Sequence, residues 1–233
     1  NSETLRNSPG LRGRTSVAPL TKMGLAIAKK SSGKVVITEM GRAFLNGKID
    51  IGEVFLKFFL KWQLPNPESK DYTREEGYNI KPFVGVLSLI DMVNKKYRSA
   101  GKEAKGISFE EFNIFVPSLI NKDNIEEYSE KIIELRERLM GKTKSEQKRI
   151  KELFVREFVK TFLNSENEKD IEKTIKNMEE YGDNTRRYLQ LTRYFYIRGW
   201  HNHLDISKTR EIEVKKLLSK YPLEAETFET SEE

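Results

Sequence analysis

A helix that stops at a glycine, a short hairpin, and a second helix opened by a hydroxyl cap leave few folds open, and this chain spells that order near its N-terminus. Leu20-Thr21-x-x-Gly24 precedes an apolar run at Leu25–Ala28, a Ser31-Ser32-Gly33 turn, a returning run at Lys34–Ile37, and then Ile37-Thr38-x-x-Gly41-Arg42-x-Phe44-Leu45. The pattern predicts a helix ending near Gly24, two antiparallel strands, and a helix capped by Thr38 and closed by Gly47. Such a series matches the tail of a winged helix-turn-helix.

A second stretch repeats the order. Gly182 predicts the end of a helix from Glu168 to Tyr181, and Asp183 the cap of another from Asn184 to Tyr194, with Tyr188, Leu191 and Phe195 turned inward. Two strands, Phe195–Arg198 and His203–Ile206, flank a Gly199-Trp200-His201-Asn202 turn, and Ser207 caps a closing helix, Thr209 to Lys220.

Charge follows the same two stretches. Residues 1–62 carry 11 Lys and Arg against 4 Asp and Glu, and residues 183–221 carry 9 against 4. The middle is balanced at 22 against 23, while the last twelve residues hold five Glu and no cation. Two basic segments on either side of a neutral middle suit a polyanionic partner, since phosphate attraction needs positive charge gathered on a surface.

The middle reads as helical. Val54, Phe55, Phe58, Phe59 and Trp62 form one apolar stripe over Ile51–Leu64, predicted as core packing and stopped by Pro65 and Pro67. Pro82 suits the first turn of a helix Phe83–Tyr97. Ser108-Phe-Glu-Glu111 is a capping box, and two longer helices, Ile125–Met140 and Ser145–Leu163, meet at Gly141. The prediction is thus a mainly α protein with short β-hairpins, made of two winged-helix-like units joined by a helical middle segment. Residues 1–64 form the first unit and its packing helix, 65–182 the middle, 183–221 the second unit and 222–233 an acidic tail.

Several classes are excluded or disfavoured. The chain has no cysteine, so disulfide scaffolds, thiolate clusters and cysteine nucleophiles are out. Val54–Leu64, the longest apolar run, is broken by Lys57 and Lys61 and is too short for a bilayer. The first residues lack an apolar leader, so a cytoplasmic address is expected, and the first unit begins without its leading helix, as though residues preceded Asn1. A carboxylate-and-lysine nuclease needs a strand-borne Asp followed by Glu-x-Lys. Glu-x-Lys occurs four times, at Glu68, Glu103, Glu146 and Glu213, about as often as the abundance of both residues gives by chance. His201 and His203 would share one face of a strand but have no third ligand nearby. No catalytic or metal residue is therefore assigned.

Thr15, Ala18-Pro19-Leu20 and Gly24-Leu25, then Ile37-Thr38-Glu39-x-Gly41-Arg42, Phe55-Leu56 with Leu60-Lys61-Trp62-Gln63-x-Pro65, Asn79-Ile80-x-Pro82-Phe83, and Thr185-Arg186-x-Tyr188 occur in one order along the chain. This series resembles the N-terminal recognition region of type IIS restriction and nicking endonucleases of the AlwI family. The resemblance implies a module that reads a short asymmetric site in double-stranded DNA, as a monomer, while a separate C-terminal nuclease domain cuts nearby using Mg2+. No cofactor is expected for the residues at hand. The DNA-binding candidates are Arg12, Arg14, Thr15 and Lys22 in the first unit and Asn184, Arg186, Arg187, Gln190 and Arg193 in the second. Arg186, Arg187 and Gln190 are the predicted base readers, because arginine matches guanine O6 and N7 and glutamine matches adenine. For each, a solvated surface side chain is the alternative, and for the whole a winged-helix transcription regulator without nuclease activity, or a module docking an acidic protein.

Overall fold

A computed structural model describes residues 9–29, 33–66, 73–199 and 202–227, and it is mainly helical with two small antiparallel sheets. The chain divides into two compact units, Asn1–Lys61 and Trp62–Glu233. None of the described helices is long and apolar enough to cross a membrane.

The first unit runs α1 (Pro9–Lys22), β1 (Ala26–Lys29), β2 (Lys34–Ile37), α2 (Glu39–Leu45) and α3 (Ile51–Lys61). Its local chemistry follows the sequence closely. Gly24 and Gly47 both adopt positive φ, and each ends its helix with paired bonds, Leu25 N–H to Leu20 O at 2.8 Å and Lys48 N–H to Ala43 O at 2.8 Å. Thr38 accepts from the Gly41 N–H at 2.9 Å and donates its own hydroxyl to Gly24 O at 2.7 Å, tying α2 to the exit of α1. β1 and β2 pair over Ala26–Ile37 to Lys29–Lys34. The stripe on α3 departs from the prediction: Val54 is buried, whereas Phe55, Phe58 and Phe59 are half-exposed, and Phe59 touches the other two rings at 5.9 and 5.4 Å. The helix also stops at Lys61, short of Leu64.

The second unit is organised on α4 (Pro82–Ser99), which buries Phe83, Val84, Val86, Leu87, Leu89, Ile90 and Val93 on nearly all sides. Ser108 closes both halves of the predicted capping box with Glu111, so that β3 (Ile107–Ser108) leads directly into α5 (Phe109–Phe115). α6 (Asn124–Leu139) packs on α4, and α7 (Lys144–Leu163) opens with a second capping box, Thr143 with Glu146. Phe115, Tyr128, Phe154 and Phe158 meet between α5, α6 and α7, edge-on except for the tilted Phe115–Tyr128 pair. Chain end and middle are strapped together: Lys81 pairs with Glu226, and Gln63 exchanges two hydrogen bonds with the Glu226 backbone, at 2.8 and 3.0 Å.

β4 (Phe195–Arg198) and β5 (His203–Ile206) have the predicted bounds, but the hairpin does not stand alone. β3 adds to β5, giving the order β3-β5-β4. Ser207 makes no side-chain cap to a helix. Its hydroxyl meets Thr209 Oγ1 at 3.0 Å, a 3-10 turn fills Lys208–Arg210, and α9 spans Glu211–Lys220.

The main correction concerns Gly182. One helix, α8 (Glu168–Leu191), passes through it without a break, and Asp183 is an interior residue rather than a cap. The glycine serves packing: a Cβ there would stand 2.4 Å from Asn113 Oδ1 and 3.0 Å from Asn113 Cα on α5. A glycine signal near a helix end cannot distinguish an exit from a close crossing.

A buried ion pair holds the same region. Arg136 of α6 donates to both oxygens of Glu111 at 2.7 Å and to Gly106 O at 2.6 Å, with its guanidinium 4.9 Å from the Tyr97 ring centre. Burial pushes the Glu111 carboxyl upward, but the Arg136 hydrogen bonds and charge and the Ser108 donors outweigh it and hold the group below its ordinary 4.5. Two outcomes are expected. Gly182→Ala, which would stabilise an open helix by ~1 kcal/mol, should instead destabilise by about 1–3 kcal/mol in urea unfolding because it overpacks the Asn113 contact. Glu111 contributes stability that is fully present above pH 4.5 and is lost as the pH falls through its lower folded value. Glu111→Gln should therefore cost about 3–5 kcal/mol at pH 7 and flatten the acid limb of the stability profile.

Candidate nucleic-acid interface

Continuity of α8 through Gly182 fixes which residues of its last three turns face the core. Met178, Gly182, Arg186 and Leu189 point inward. Asn184, Arg187, Tyr188 and Leu191 point outward, with Tyr188 at 53% exposure, and Tyr181 stands exposed one turn earlier. This differs from the predicted phase at three residues: Tyr188 and Leu191, expected in the core, are exposed and Arg186, expected on a groove, is buried, whereas Phe195 is buried and Arg187 and Arg193 are exposed as expected.

Arg186 takes the inward place because two partners receive it. Its guanidinium lies 3.7 Å from the centre of the Phe109 ring, at the start of α5, and its Nη2 pairs with Asp183 Oδ1 one turn back. Only 10% of the side chain remains exposed. Burial pulls its pKa down, Asp183 pushes it up, and the neighbouring Arg187 charge lowers it, for a net downward shift. A guanidinium so placed serves the packing of α8 on α5.

Arg187 behaves differently. Its side chain is 73% exposed and meets the other carboxylate oxygen, Asp183 Oδ2, at 2.6 Å. Gln190 is half-buried and donates to Arg186 O at 3.2 Å. Arg193 lies beyond the helix, exposed and with φ at 62°, where Thr192 has already closed the last turn. The sequence places Arg193 inside the helix, and a non-glycine residue with positive φ is uncommon at such an exit.

Around the hairpin, Arg198 is committed to protein partners: Glu103, the Ala104 carbonyl and, at 3.6 Å, Asp205 Oδ2. Tyr196, Lys208 and Thr209 line a shallow depression beside it. Burial and the nearby Lys105 charge lower the His203 pKa, against a smaller upward pull from Glu111. His201 lies outside the described residues. In the first unit Thr15 and Lys22 are exposed on α1, and the side chains of Arg12 and Arg14 lie outside the described residues.

Among the described residues no group of three or more Asp, Glu or His side chains is placed to hold a metal ion. The Glu-x-Lys carboxylates have other work: Glu103 pairs with Arg198, Glu146 caps α7 and Glu213 pairs with Arg210 on α9, while Glu68 lies outside the described residues. Asp183, read from sequence as a helix cap, and Phe109, given no role there, set the geometry of this face. The i,i+3 and i,i+4 spacing of Asp183 to two arginines was the available signal.

No curated protein matches this chain. The family model described as AlwI restriction endonuclease matches residues 21–233, nearly the whole length, which supports a restriction-type protein acting on DNA. The chain belongs to the AlwI restriction endonuclease family.

Proposed function

We propose that this chain is a type IIS recognition module, reading a short asymmetric site in double-stranded DNA as a monomer while a separate Mg2+-dependent nuclease domain cuts. The observation that carries the reading is the phase of α8. It presents Asn184, Arg187 and Tyr188 to solvent beside Gln190 and Arg193, in a stretch where Asp183 is the single acid from residue 183 to 198. Arg187 has the paired donors that suit guanine O6 and N7, and Asn184 and Gln190 have the amides that suit adenine N6 and N7. Arg193, Thr15 and Lys22 serve phosphate positioning, together with Arg12 and Arg14 of α1. Both units contain a helix, a hairpin and a following helix, and we read each as winged-helix-like. Two unlike units on one chain suit an asymmetric target, whereas a symmetric dimer presents one helix twice and demands a palindrome.

Selection of bound duplexes from a random pool tests the reading. A compact non-palindromic consensus is expected, and Arg187→Ala should relax one position of it at a cost of about 1–3 kcal/mol. A palindromic consensus would point to a dimeric regulator, and the absence of any consensus would overturn sequence reading altogether.

A further inference from the structure

The two arginines at the centre of the α8 face share one carboxylate, and they hold it with different permanence. Asp183 gives Oδ1 to Arg186 and Oδ2 to Arg187. Arg186 is wedged against Phe109 with only 10% of its side chain exposed, and it holds Asp183 on the face at 37% exposure. Arg187 is a mobile partner by comparison, because its exposed side chain needs only rotamer changes to turn away.

Carboxylate on guanidinium uses the same planar, paired donors that a phosphate or a guanine edge would use. Resting on the proposed DNA-reading role, we infer that Asp183 is a specificity-determining residue that occupies Arg187 and suppresses its use on DNA backbone of arbitrary sequence. A random duplex offers Arg187 phosphate but no matching base edge held in register, and the phosphate must displace the carboxylate and then lie beside its negative charge. The correct site adds base-edge hydrogen bonds that a random site lacks, so the same displacement is offset there alone. Discrimination thus arises from a repulsive element as well as an attractive one.

Asp183→Asn keeps an oxygen to accept from Arg186 and removes the charge. In the full chain it should raise affinity for a random duplex by about tenfold at low salt and steepen the log affinity against log salt slope by about 0.9, as expected for one added phosphate contact. Affinity for the selected site should rise less, so the ratio of selected to random binding falls. In an Arg187→Ala background the same change should leave random-duplex binding and slope unmoved, because Asp183 acts through Arg187. A thermal unfolding midpoint close to that of the parent shows that packing is intact. Three results overturn the inference: an unchanged random-duplex affinity and slope in Asp183→Asn, an equal rise for both duplexes, or the same rise in the Arg187→Ala background. A parent chain that enriches a consensus while Asp183→Asn changes nothing defeats only this inference, whereas a parent that binds no duplex defeats the DNA-reading role with it.

Discussion

Arg186 stacked on Phe109 sets the rotation of α8, and through that rotation every residue the helix offers to a partner. Burying a guanidinium is costly unless its charge and donors are met; here an aromatic face and one carboxylate oxygen meet the charge, while the buried Nη1 finds no hydrogen-bond partner among the described residues. Gly182, one turn earlier on the same inward line, lets α8 approach Asn113 closely enough for the stack to form. The two contacts reinforce each other, since each needs α8 at the same distance and angle from α5. Together they turn Asn184, Arg187 and Tyr188 to solvent.

Charge pairing elsewhere sharpens the contrast. On the middle helices cations and acids cancel locally: Lys96 with Glu126 and Glu130, Lys151 with Glu110, Arg156 with Glu168 and Glu172, Lys160 with Glu166. Such exposed pairs add little to stability, but they flatten the potential over the surface that carries them. Acids pair with cations in residues 183–221 as well, Asp183 with Arg186 and Arg187 and Glu213 with Arg210, so what sets that stretch apart is its excess of 9 Lys and Arg over 4 Asp and Glu.

The parts of this fold that were legible in the sequence are those decided within a few residues. The Thr38 cap, the Ser108–Glu111 box, Pro82 at the start of α4, and the bounds of β4 and β5 all depend on local hydrogen bonding or steric preference. What could not be read depends on partners far along the chain. Arg186 is buried because Phe109 and Asp183 meet it, so a periodicity argument that treats arginine as polar and tyrosine as apolar places the stripe on the wrong side. Gly182 reads as an exit by local rules and is a crossing point by tertiary ones. The hairpin reads as part of a self-contained unit, yet β3, supplied from the middle of the chain, pairs with β5. At the candidate interface, residue types were legible and their orientation was not.

The orientation of α8 is the claim on which the DNA-reading account stands, and the cysteine-free sequence makes it directly measurable by single-cysteine labelling. Asn184→Cys and Tyr188→Cys should react rapidly with a thiol reagent in the free protein and become protected by a selected duplex. Lys148→Cys on α7, where the native side chain is 80% exposed, should react equally with and without DNA. Slow labelling at 184 and 188 in the free protein, or rapid labelling there that the duplex does not change, would contradict the account.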